Sequence, residues 1–245
     1  MVLTSFEAQL IKPDWPAPSS VVAFTTTREA GFSQGRYAGL NVGMHVNDDP
    51  EAVAANRALL PEAQRIAWLE QVHKNRCVRL PAESRQADAS TSCNRLWWCA
   101  VMTADCVPVL LCDRQGSEVA AIHAGWQGLE QQVIARTVTE LRAQPADVMA
   151  WVGPAICQQH YQVDANLAAR FEYVDGAVVP DTIAGKFLLD LPAVAQHQLK
   201  KAGINAIYHS RLCTYADPNR FYSHRFAQHQ QALPTGRMVS VIGLR

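Results

Sequence analysis

A cysteine and a histidine stand near the two ends of the segment TADCVPVLLCDRQGSEVAAIHAGW, which covers residues 103–126. Two apolar runs flank the polar tetrad DRQG, a pattern that predicts a β-hairpin. If the turn is centred on Arg114 and Gln115, Cys106 lies directly opposite His123 with Cβ atoms about 4.5–5.5 Å apart. A turn centred one residue further along gives a different register. The first register places a thiol and an imidazole where one zinc ion could bind both.

The segment WLEQVHKN supplies a third candidate ligand, His73, at the end of another short predicted strand. Zinc held by three side chains keeps a fourth position free for water or substrate, as in catalytic sites. Two alternatives remain open. Cys106 could be a buried apolar residue, with the histidines as ordinary surface or core residues. A Cys106 thiolate could also be the nucleophile of a cysteine hydrolase or amidase, for example one acting on cell-wall precursors, with His123 as its base.

Short apolar runs predict most of the elements that position these residues. The predicted strands cover residues 21–27, 66–70, 76–81, 97–103, 106–112, 118–123, 148–152, 186–189, 206–210 and 238–243. The predicted helices cover DDPEAVAANRALL, WQGLEQQVIARTVTELRA and DLPAVAQHQLKKAG, capped at Asp48 or Asp49 and at Asp190. Strands come in clusters separated by single helices, which predicts an α+β fold with mixed or antiparallel sheets and flanking helices. No linker marks a boundary, so residues 1–245 are interpreted as a single domain.

Charge and cysteine content argue against several classes of protein. The chain has 22 Lys plus Arg and 22 Asp plus Glu, without a basic block that would bind nucleic acid or an anionic membrane. We therefore expect a small-molecule ligand. No apolar run reaches the roughly 20 residues of a membrane span, and the first residues lack a signal-peptide pattern. Seven cysteines without a C-x-x-C pair argue against a disulfide framework and indicate the cytoplasm.

Several motifs, taken in order, resemble the YfiH-like family, formerly described as multicopper polyphenol oxidases or laccases and now regarded as purine nucleoside phosphorylases. They are the stretch from Thr26 to Arg57, WLEQVH, ADA, VMTADCVPVLLCD, HAGWQG, WVGPAIC, CTY and FYSHR. The resemblance implies a YfiH-like fold and one metal ion, usually zinc, held by His73, Cys106 and His123. It also implies phosphorolysis of adenosine, inosine, guanosine and methylthioadenosine, together with adenosine deamination.

Further polar residues in these motifs are candidates for catalysis or substrate binding. Asp105, next to the Cys106 ligand, could be a general base or could orient a metal-bound histidine, although strand alternation points it to the opposite face. Arg28, which precedes a glycine-containing loop, is a candidate anion clamp, with a surface arginine as the alternative. The candidate substrate-binding residues are Asn41, Gln71, Asp88 and Arg225. Turn residues and an ordinary salt bridge are the alternative interpretations of these four.

The chain departs from the family pattern at three positions. Gln127 stands in HAGWQG where the family commonly has Arg. Phe226 and Ala227 follow the late Ser-x-Arg motif where the family commonly has Arg and Asp. A phosphate dianion is best held by fixed guanidinium groups. The departures remove two cationic positions that the resemblance assigns to phosphate and leave the metal ligands unchanged.

The other six histidines are interpreted as structural or exposed. They are His45, His160, His197, His209, His224 and His229. A multicopper centre needs many histidines paired as H-x-H, and the eight histidines of this chain include no such pair. Copper bound in the three-ligand site, which suits nitrogen and sulfur donors, and a non-catalytic metal-binding protein remain alternatives.

Overall fold

The computed structural model describes residues 7–245. Its strands are β1 (Val21–Thr25), β2 (Ile66–Ala67), β3 (Cys77–Arg79), β4 (Ala89–Ser92), β5 (Trp98–Thr103), β6 (Val107–Asp113), β7 (Val119–Ala124), β8 (Val148–Val152), β9 (Gln162–Asp164), β10 (Val178–Pro180), β11 (Lys186–Leu189), β12 (Ala206–His209) and β13 (Met238–Leu244). Its α-helices are α1 (Pro50–Ala58), α2 (Trp126–Glu130), α3 (Val133–Glu140), α4 (Ala165–Ala168), α5 (Leu191–Lys201) and α6 (His224–His229).

The strands form three sheets with both parallel and antiparallel pairs. The six-stranded sheet has the order β12-β8-β6-β7-β4-β3, the four-stranded sheet β1-β13-β5-β2 and the three-stranded sheet β10-β11-β9. The outermost pairs of the six-stranded sheet, β12 with β8 and β3 with β4, are parallel, whereas its inner pairs are antiparallel. The predicted α+β class with mixed sheets and flanking helices is therefore confirmed.

Strand β6 lies between two apolar layers. Val107, Val109 and Leu111 pack in the cluster that includes residues of α3 and α5. Leu110 and Cys112 pack in a second cluster, between the six-stranded and four-stranded sheets. Because both faces are buried, β6 is a continuous apolar run in the sequence instead of an alternating one. Helices, six-stranded sheet and four-stranded sheet thus form successive layers.

The single helix predicted over residues 126–143 is two helices. Gln132 has φ 60° and ψ 41°, a left-handed conformation that interrupts the helical backbone between α2 and α3. The apolar residues Val133, Ile134 and Val138 nevertheless lie on the buried face of α3. The hydrophobic periodicity runs across the break, so the sequence pattern did not reveal it.

Two of the predicted helix starts are confirmed in detail. The Asp49 carboxylate accepts a hydrogen bond from the backbone N–H of Glu51 at the start of α1. The Asp190 carboxylate accepts one from the backbone N–H of Ala193 at the start of α5. The short elements β4, β9, β10, α4 and α6 were not predicted, because they carry too few apolar residues for a periodic signal.

The β6–β7 hairpin has the later of the two registers considered from the sequence. His123 pairs with Pro108, so the predicted opposition of His123 and Cys106 is wrong. The Asp113 carboxylate stabilises this turn by accepting hydrogen bonds from the backbone N–H and the hydroxyl of Ser117, each at 2.7 Å. The predicted and observed registers differ by two residues. A slip of two keeps both side chains on the same face of the sheet, because side chains alternate with a period of two.

Within residues 7–245, no helix combines the length and the apolar character that crossing a membrane requires.

Candidate metal centre

Three candidate metal ligands meet at one point although they belong to different parts of the chain. His73 lies in the loop after β2, Cys106 directly precedes β6, and His123 lies in β7. One ring nitrogen of each histidine and the Cys106 sulfur all lie within 4.8 Å of one another. The two imidazole rings meet edge to face, with their centroids 4.7 Å apart. The structure thus brings together the three residues that the sequence analysis proposed as metal ligands.

Two backbone conformations at this point are energetically costly for residues other than glycine. His73 has φ 57°, and Asp105, which directly precedes Cys106, has φ 92°. A left-handed residue with a Cβ costs roughly 1–2 kcal/mol, and such residues cluster at functional sites. The backbone is therefore strained at His73 and Asp105, the two positions that turn His73 and Cys106 towards each other.

Gly125, which follows β7, leaves room for the Cys106 sulfur. A Cβ atom on Gly125 would lie 2.9 Å from Cys106 Sγ and 3.5 Å from His73 Cδ2. The φ of Gly125 is −73°, an ordinary value for any residue. Glycine is needed here for space and not for backbone freedom.

Asp88 positions both histidines. Its fully buried carboxylate is hydrogen-bonded to His123 Nδ1 at 2.8 Å. The same carboxylate accepts hydrogen bonds from the backbone N–H groups of Val72, His73 and Lys74. Since an ionised carboxylate can only accept, Nδ1 of His123 carries the proton and Nε2 is left to bind a cation.

This arrangement bears on the roles predicted for Asp88 and Asp105. Asp88 was a candidate substrate-binding residue, but its carboxylate is enclosed by backbone and imidazole donors and does not line the cavity described below. Asp105 was a candidate for orienting a metal-bound histidine, and Asp88 occupies that position instead. Burial opposes the ionisation of Asp88, but its hydrogen bonds with His123 and with the backbone outweigh burial and lower its pKa.

The histidines also favour the thiolate form of Cys106. Burial alone would raise the pKa of Cys106, but the neighbouring imidazoles of His123 and His73 outweigh burial and lower it to about 6. Burial would likewise lower the pKa of His123, and the Cys106 thiolate and the Asp88 carboxylate outweigh it and raise that pKa. A thiolate is the form of cysteine that binds metals and attacks electrophiles.

The donor set fits zinc. Two imidazole nitrogens and one thiolate are donors that zinc prefers, and a carboxylate hydrogen-bonded to a ligating histidine is the usual support for such a ligand. Within residues 7–245, no fourth Cys, His, Asp or Glu joins this group. The same nitrogen and sulfur donors would also accept copper.

The three residues lie in the wall of a cavity of about 440 Å³. Gln71, Asp105 and Arg225 from the predicted site also line it. The cavity is further lined by His45, Met102, Thr103, Ala104, Trp126, Ile156, Tyr161, Leu191, His224, Gln228 and Arg237. A cavity of this size is typical of a small-molecule site.

Arg237 lines the cavity and was missed by the sequence analysis. Its backbone N–H donates to the side-chain oxygen of Asn41 at 2.9 Å, and Asn41 is fully buried and outside the cavity lining. Asn41, predicted to bind substrate, is thus placed where it holds the backbone of Arg237. A lone arginine in the segment TGRM carried no sequence signal that would distinguish it from a surface cation.

Arg28, predicted as an anion clamp, lies outside the cavity lining. Its guanidinium group donates to the carbonyls of Ala38 and Pro218 at 3.1 and 3.0 Å. The group also stacks over the Tyr222 ring, with Cζ 4.6 Å from the ring centroid. These contacts give Arg28 a structural role that joins two loops.

Gln71 and Arg225 line the cavity with part of their polar groups already bonded. The Gln71 amide donates to the Met102 carbonyl at 2.8 Å and accepts from the Met102 backbone N–H at 2.7 Å, so it fixes the His73 loop to β5. Arg225 donates to the Gln162 carbonyl at 2.7 Å, and its Cζ lies 4.9 Å from the centroid of the Tyr161 ring.

Both carboxylate oxygens of Asp105 have protein donors. Oδ1 accepts from the Thr214 hydroxyl at 2.6 Å and Oδ2 from the backbone N–H of Arg225 at 2.7 Å. Asp105 therefore connects the strand end before Cys106 to two distant segments of the cavity wall. These bonds indicate a positioning role for Asp105.

His45 and His224, predicted to be structural or exposed, are exposed and line the cavity. Burial and then the charge of Arg237 lower the pKa of each, so both imidazoles are neutral at neutral pH. Thr103 also lines the cavity, and its hydroxyl is buried without a hydrogen-bond partner among the described residues. These neutral donors and acceptors are suited to a polar, uncharged ligand.

The three family departures lie outside the cavity lining. Gln127 is half-buried in α2, and Ala227 is buried in α6. The Phe226 ring packs edge to face against Tyr215, with centroids 5.6 Å apart. Arg225 and Arg237 still supply cationic groups to the cavity.

Fold and site together define an α+β protein with a candidate metal centre of two histidines and one cysteine. A family model described as multi-copper polyphenol oxidoreductase laccase matches residues 22–245, and the chain belongs to this family. It is 41% identical over 243 residues to a purine nucleoside phosphorylase of Pseudomonas aeruginosa, covering 96% of this chain and 98% of that protein. It is 39% identical to the purine nucleoside phosphorylase YfiH of Escherichia coli, covering 97% and 99%. The predicted YfiH-like resemblance is confirmed.

Solved structures support the same fold. The crystal structure of Neisseria meningitidis protein NMB0706 aligns with a TM-score of 0.89 at 39% identity, covering 96% of this chain and 99% of that one. Bacillus licheniformis YfiH aligns with a TM-score of 0.83 at 30% identity, covering 92% and 93%.

Proposed function

We propose that this protein is a zinc-dependent purine nucleoside phosphorylase that acts on adenosine, inosine, guanosine and methylthioadenosine and also deaminates adenosine. The observation that carries the proposal is the meeting of His73, Cys106 and His123 in the wall of a small-molecule cavity that also contains two arginines. Relatives about 40% identical over nearly their whole length are named purine nucleoside phosphorylases.

His73, Cys106 and His123 would hold the metal. Zinc, when bound by these residues, would supply Lewis-acid chemistry towards an oxygen of the reactant. The protein's own contribution is to keep Cys106 ionised, to fix the tautomer of His123 through Asp88, and to hold His73 on the loop that Asp88 also binds. Copper fits the same donors, so the metal is to be identified by elemental analysis.

Arg237 and Arg225 are the proposed phosphate ligands. They are the arginines of the cavity lining, and their backbone positions are fixed by Asn41 and Asp105 respectively. Fixed guanidinium groups bind phosphate oxygens with charge-assisted hydrogen bonds. Positions 127 and 226 lie outside the cavity lining, so the departures there leave both of these arginines in place.

Phosphorolysis forms a bond between a phosphate oxygen and C1′ of the sugar and breaks the bond between C1′ and the purine nitrogen. The electron pair of the broken bond leaves with the purine, which takes up one proton. His45 and His224 are neutral and line the cavity, so their ring N–H groups can donate to the departing base without adding positive charge beside the arginines.

Deamination is a different reaction: water supplies an oxygen to C6 of the purine and ammonia leaves. The purine ring would then have to lie with C6, instead of the sugar, near the three metal ligands. A cavity of about 440 Å³ is large enough for a small ligand to adopt more than one pose.

The seven cysteines of the chain, including the ligand Cys106, are all free, which suits the reducing cytoplasm.

The test combines elemental analysis with two assays on the same protein. The purified chain should contain at least one zinc ion per chain, convert inosine and phosphate to hypoxanthine and ribose 1-phosphate, and release ammonia from adenosine. Cys106→Ala should lose the ion held by His73, Cys106 and His123 together with both activities, whereas Cys93→Ser, at a cysteine outside the site, should keep them. Metal-replete protein that turns over no nucleoside would overturn the proposal.

A second candidate function rests on the arrangement of Cys106, His123 and Asp88. In a cysteine hydrolase or amidase, Cys106 with its lowered pKa would be the nucleophile and His123 the base. The Asp88 carboxylate, hydrogen-bonded to His123, would orient that base. In that case the purified protein contains no bound metal, chelators leave activity intact, and iodoacetamide abolishes it rapidly.

A further inference from the structure

A second cluster of two cysteines and one histidine lies outside the site described above. The sulfur atoms of Cys157 and Cys213 and a ring nitrogen of His160 all lie within 4.8 Å of one another, and all three residues are half-buried. We propose that this cluster is a second zinc site, a structural one, that ties the turn Gln158–His160 to the segment around Cys213.

Both nitrogen–sulfur distances in the cluster are close to those between two ligands of one tetrahedral zinc ion, and the cluster supplies three of the four ligands. His160 Nδ1 lies 3.2 Å from Cys157 Sγ and 3.5 Å from Cys213 Sγ. Zinc bonded to sulfur at ~2.3 Å and to nitrogen at ~2.0 Å holds those two atoms about 3.5 Å apart. One lone pair on Nδ1 cannot accept two thiol hydrogen bonds in line, whereas a single cation between the three atoms satisfies all of them.

The surrounding backbone is arranged for thiolate sulfur. The backbone N–H of Cys157 points at Cys213 Sγ at 3.3 Å. The backbone N–H groups of Gln159 and His160 point at the Cys157 sulfur. Burial and the neighbouring Cys213 thiol outweigh these donors and raise the pKa of Cys157 to about 11 in the metal-free protein. The donors favour thiolate sulfur once a cation binds, as zinc–thiolate sites require. The Cys-x-x-His spacing of residues 157 and 160 places both ligands on one tight turn.

The imidazole is also held in the ligating orientation from outside. The His160 ring stacks on Tyr215 with centroids 4.5 Å apart and an interplanar angle of 20°. The Tyr215 hydroxyl is in turn 2.9 Å from His229 Nδ1. Stacking leaves the ring edge with Nδ1 directed at the two sulfurs, so the ligand geometry exists before an ion binds.

An ion here would support the wall of the first site. Ala155 and Cys213 form a parallel β-bridge, and the neighbouring Thr214 donates its hydroxyl to Asp105 in the cavity wall. The second ion would therefore stabilise the segment that holds Asp105 without touching the reactants. Its removal should reduce catalytic efficiency less than removal of a ligand of the first site.

The experiment measures metal content and spectra, independently of turnover. Reduced protein reconstituted with zinc should bind about two ions per chain. Cys213→Ala and Cys106→Ala should each bind about one, the double variant none, and Cys93→Ser about two. With cobalt in place of zinc, Cys213→Ala should lose more of the near-ultraviolet thiolate-to-metal absorption than Cys106→Ala, because two thiolates are affected instead of one.

A second variant keeps the test decisive if Cys213→Ala fails to fold. His160→Phe retains a ring against Tyr215 and removes the nitrogen ligand, so it should lose the same ion. In the Cys106→Ala background, zinc should still raise the melting temperature, and adding His160→Phe should abolish that rise. Unchanged metal content in both Cys213→Ala and His160→Phe, or a Cys157–Cys213 disulfide in place of the ion, would overturn the second site. If Cys106→Ala is the only variant that loses an ion, the first metal site is supported and the second is not.

Discussion

The Asp88 carboxylate is hydrogen-bonded to Nδ1 of His123 at 2.8 Å, with both side chains buried. The same carboxylate accepts the backbone N–H of His73 at 2.9 Å. One acidic residue thus sets the ring orientation of one candidate ligand and the backbone of another. Residues that support metal ligands in this way typically contribute a factor of 10–100 to metal affinity.

We therefore expect Asp88→Asn to lower zinc affinity by about 10–100-fold, because a neutral amide replaces the anionic acceptor of the His123 hydrogen bond. Competition with a chromophoric chelator measures the effect. Asp113→Asn is the matched control, since the Asp113 carboxylate also accepts backbone N–H groups, in the turn of the same hairpin, without contacting a histidine. Equal zinc affinity in the two variants would contradict the role given to Asp88.

Gly125→Ala should reduce zinc binding while the fold stays stable. The added Cβ would lie 2.9 Å from Cys106 Sγ and displace the sulfur, whereas φ of −73° suits alanine. Gly176→Ala is the complementary control, because it meets no atom within 4 Å but has φ 71°. It should lose roughly 1–2 kcal/mol of unfolding free energy and keep its zinc. The prediction fails if Gly125→Ala binds zinc as the wild type does.

Arg237→Gln should raise the KM for phosphate by about 10–100-fold, since a hydrogen bond from a charged group contributes about 1.5–3 kcal/mol. The KM for the nucleoside should change little. Arg28→Gln should leave the KM for phosphate unchanged and lower thermal stability, because the Arg28 guanidinium bonds two carbonyls and stacks on Tyr222. Steady-state kinetics with phosphate varied, together with melting curves, separate the two arginines. The reverse pattern would return the anion clamp to Arg28.

In metal-free protein, Cys106 should react with iodoacetamide faster at neutral pH than the buried cysteines. Its pKa is lowered to about 6 by the neighbouring histidines, against burial, whereas burial raises the pKa of Cys99 and Cys112 to about 12. The thiolate is present above the pKa, so the alkylation rate should fall as the pH drops through about 6. Peptide mass spectrometry measures each site.

Added zinc supplies the control for this prediction. Zinc bound to the sulfur should protect Cys106 from alkylation across the same pH range. A Cys106 rate that rises only above pH 8, as for an ordinary thiol, would contradict the lowered pKa.

Several parts of this structure followed from local sequence patterns. The Asp49 and Asp190 helix caps and the buried run of β6 were predictable, because capping and burial depend on a few neighbouring residues. The third ligand, His73, was predicted at the end of a short strand, whereas the structure places it in the loop after β2. By contrast, the break at Gln132 has no local signal, because the apolar period continues through it.

The roles of Asp88, Asn41 and Arg237 depended on contacts between distant segments. Asp88 meets His123 from 35 residues away, and Asn41 meets Arg237 from 196 residues away. A sequence pattern shows which residue types could serve such a role but not which of them a fold will place together. The cysteine–histidine cluster at Cys157 was missed for the same reason, since Cys213 completes it from a separate strand bridge.

The sequence by itself determined that Cys106 and His123 lie on one face of a hairpin, because alternation along two strands survives a slip of two residues. The tertiary structure alone decided which carboxylate supports the histidine, which arginine enters the cavity and which histidines line it. Those choices arise from the stacking of two sheets and the loops between them, and their free energy comes from burial and hydrogen bonds across long sequence separations.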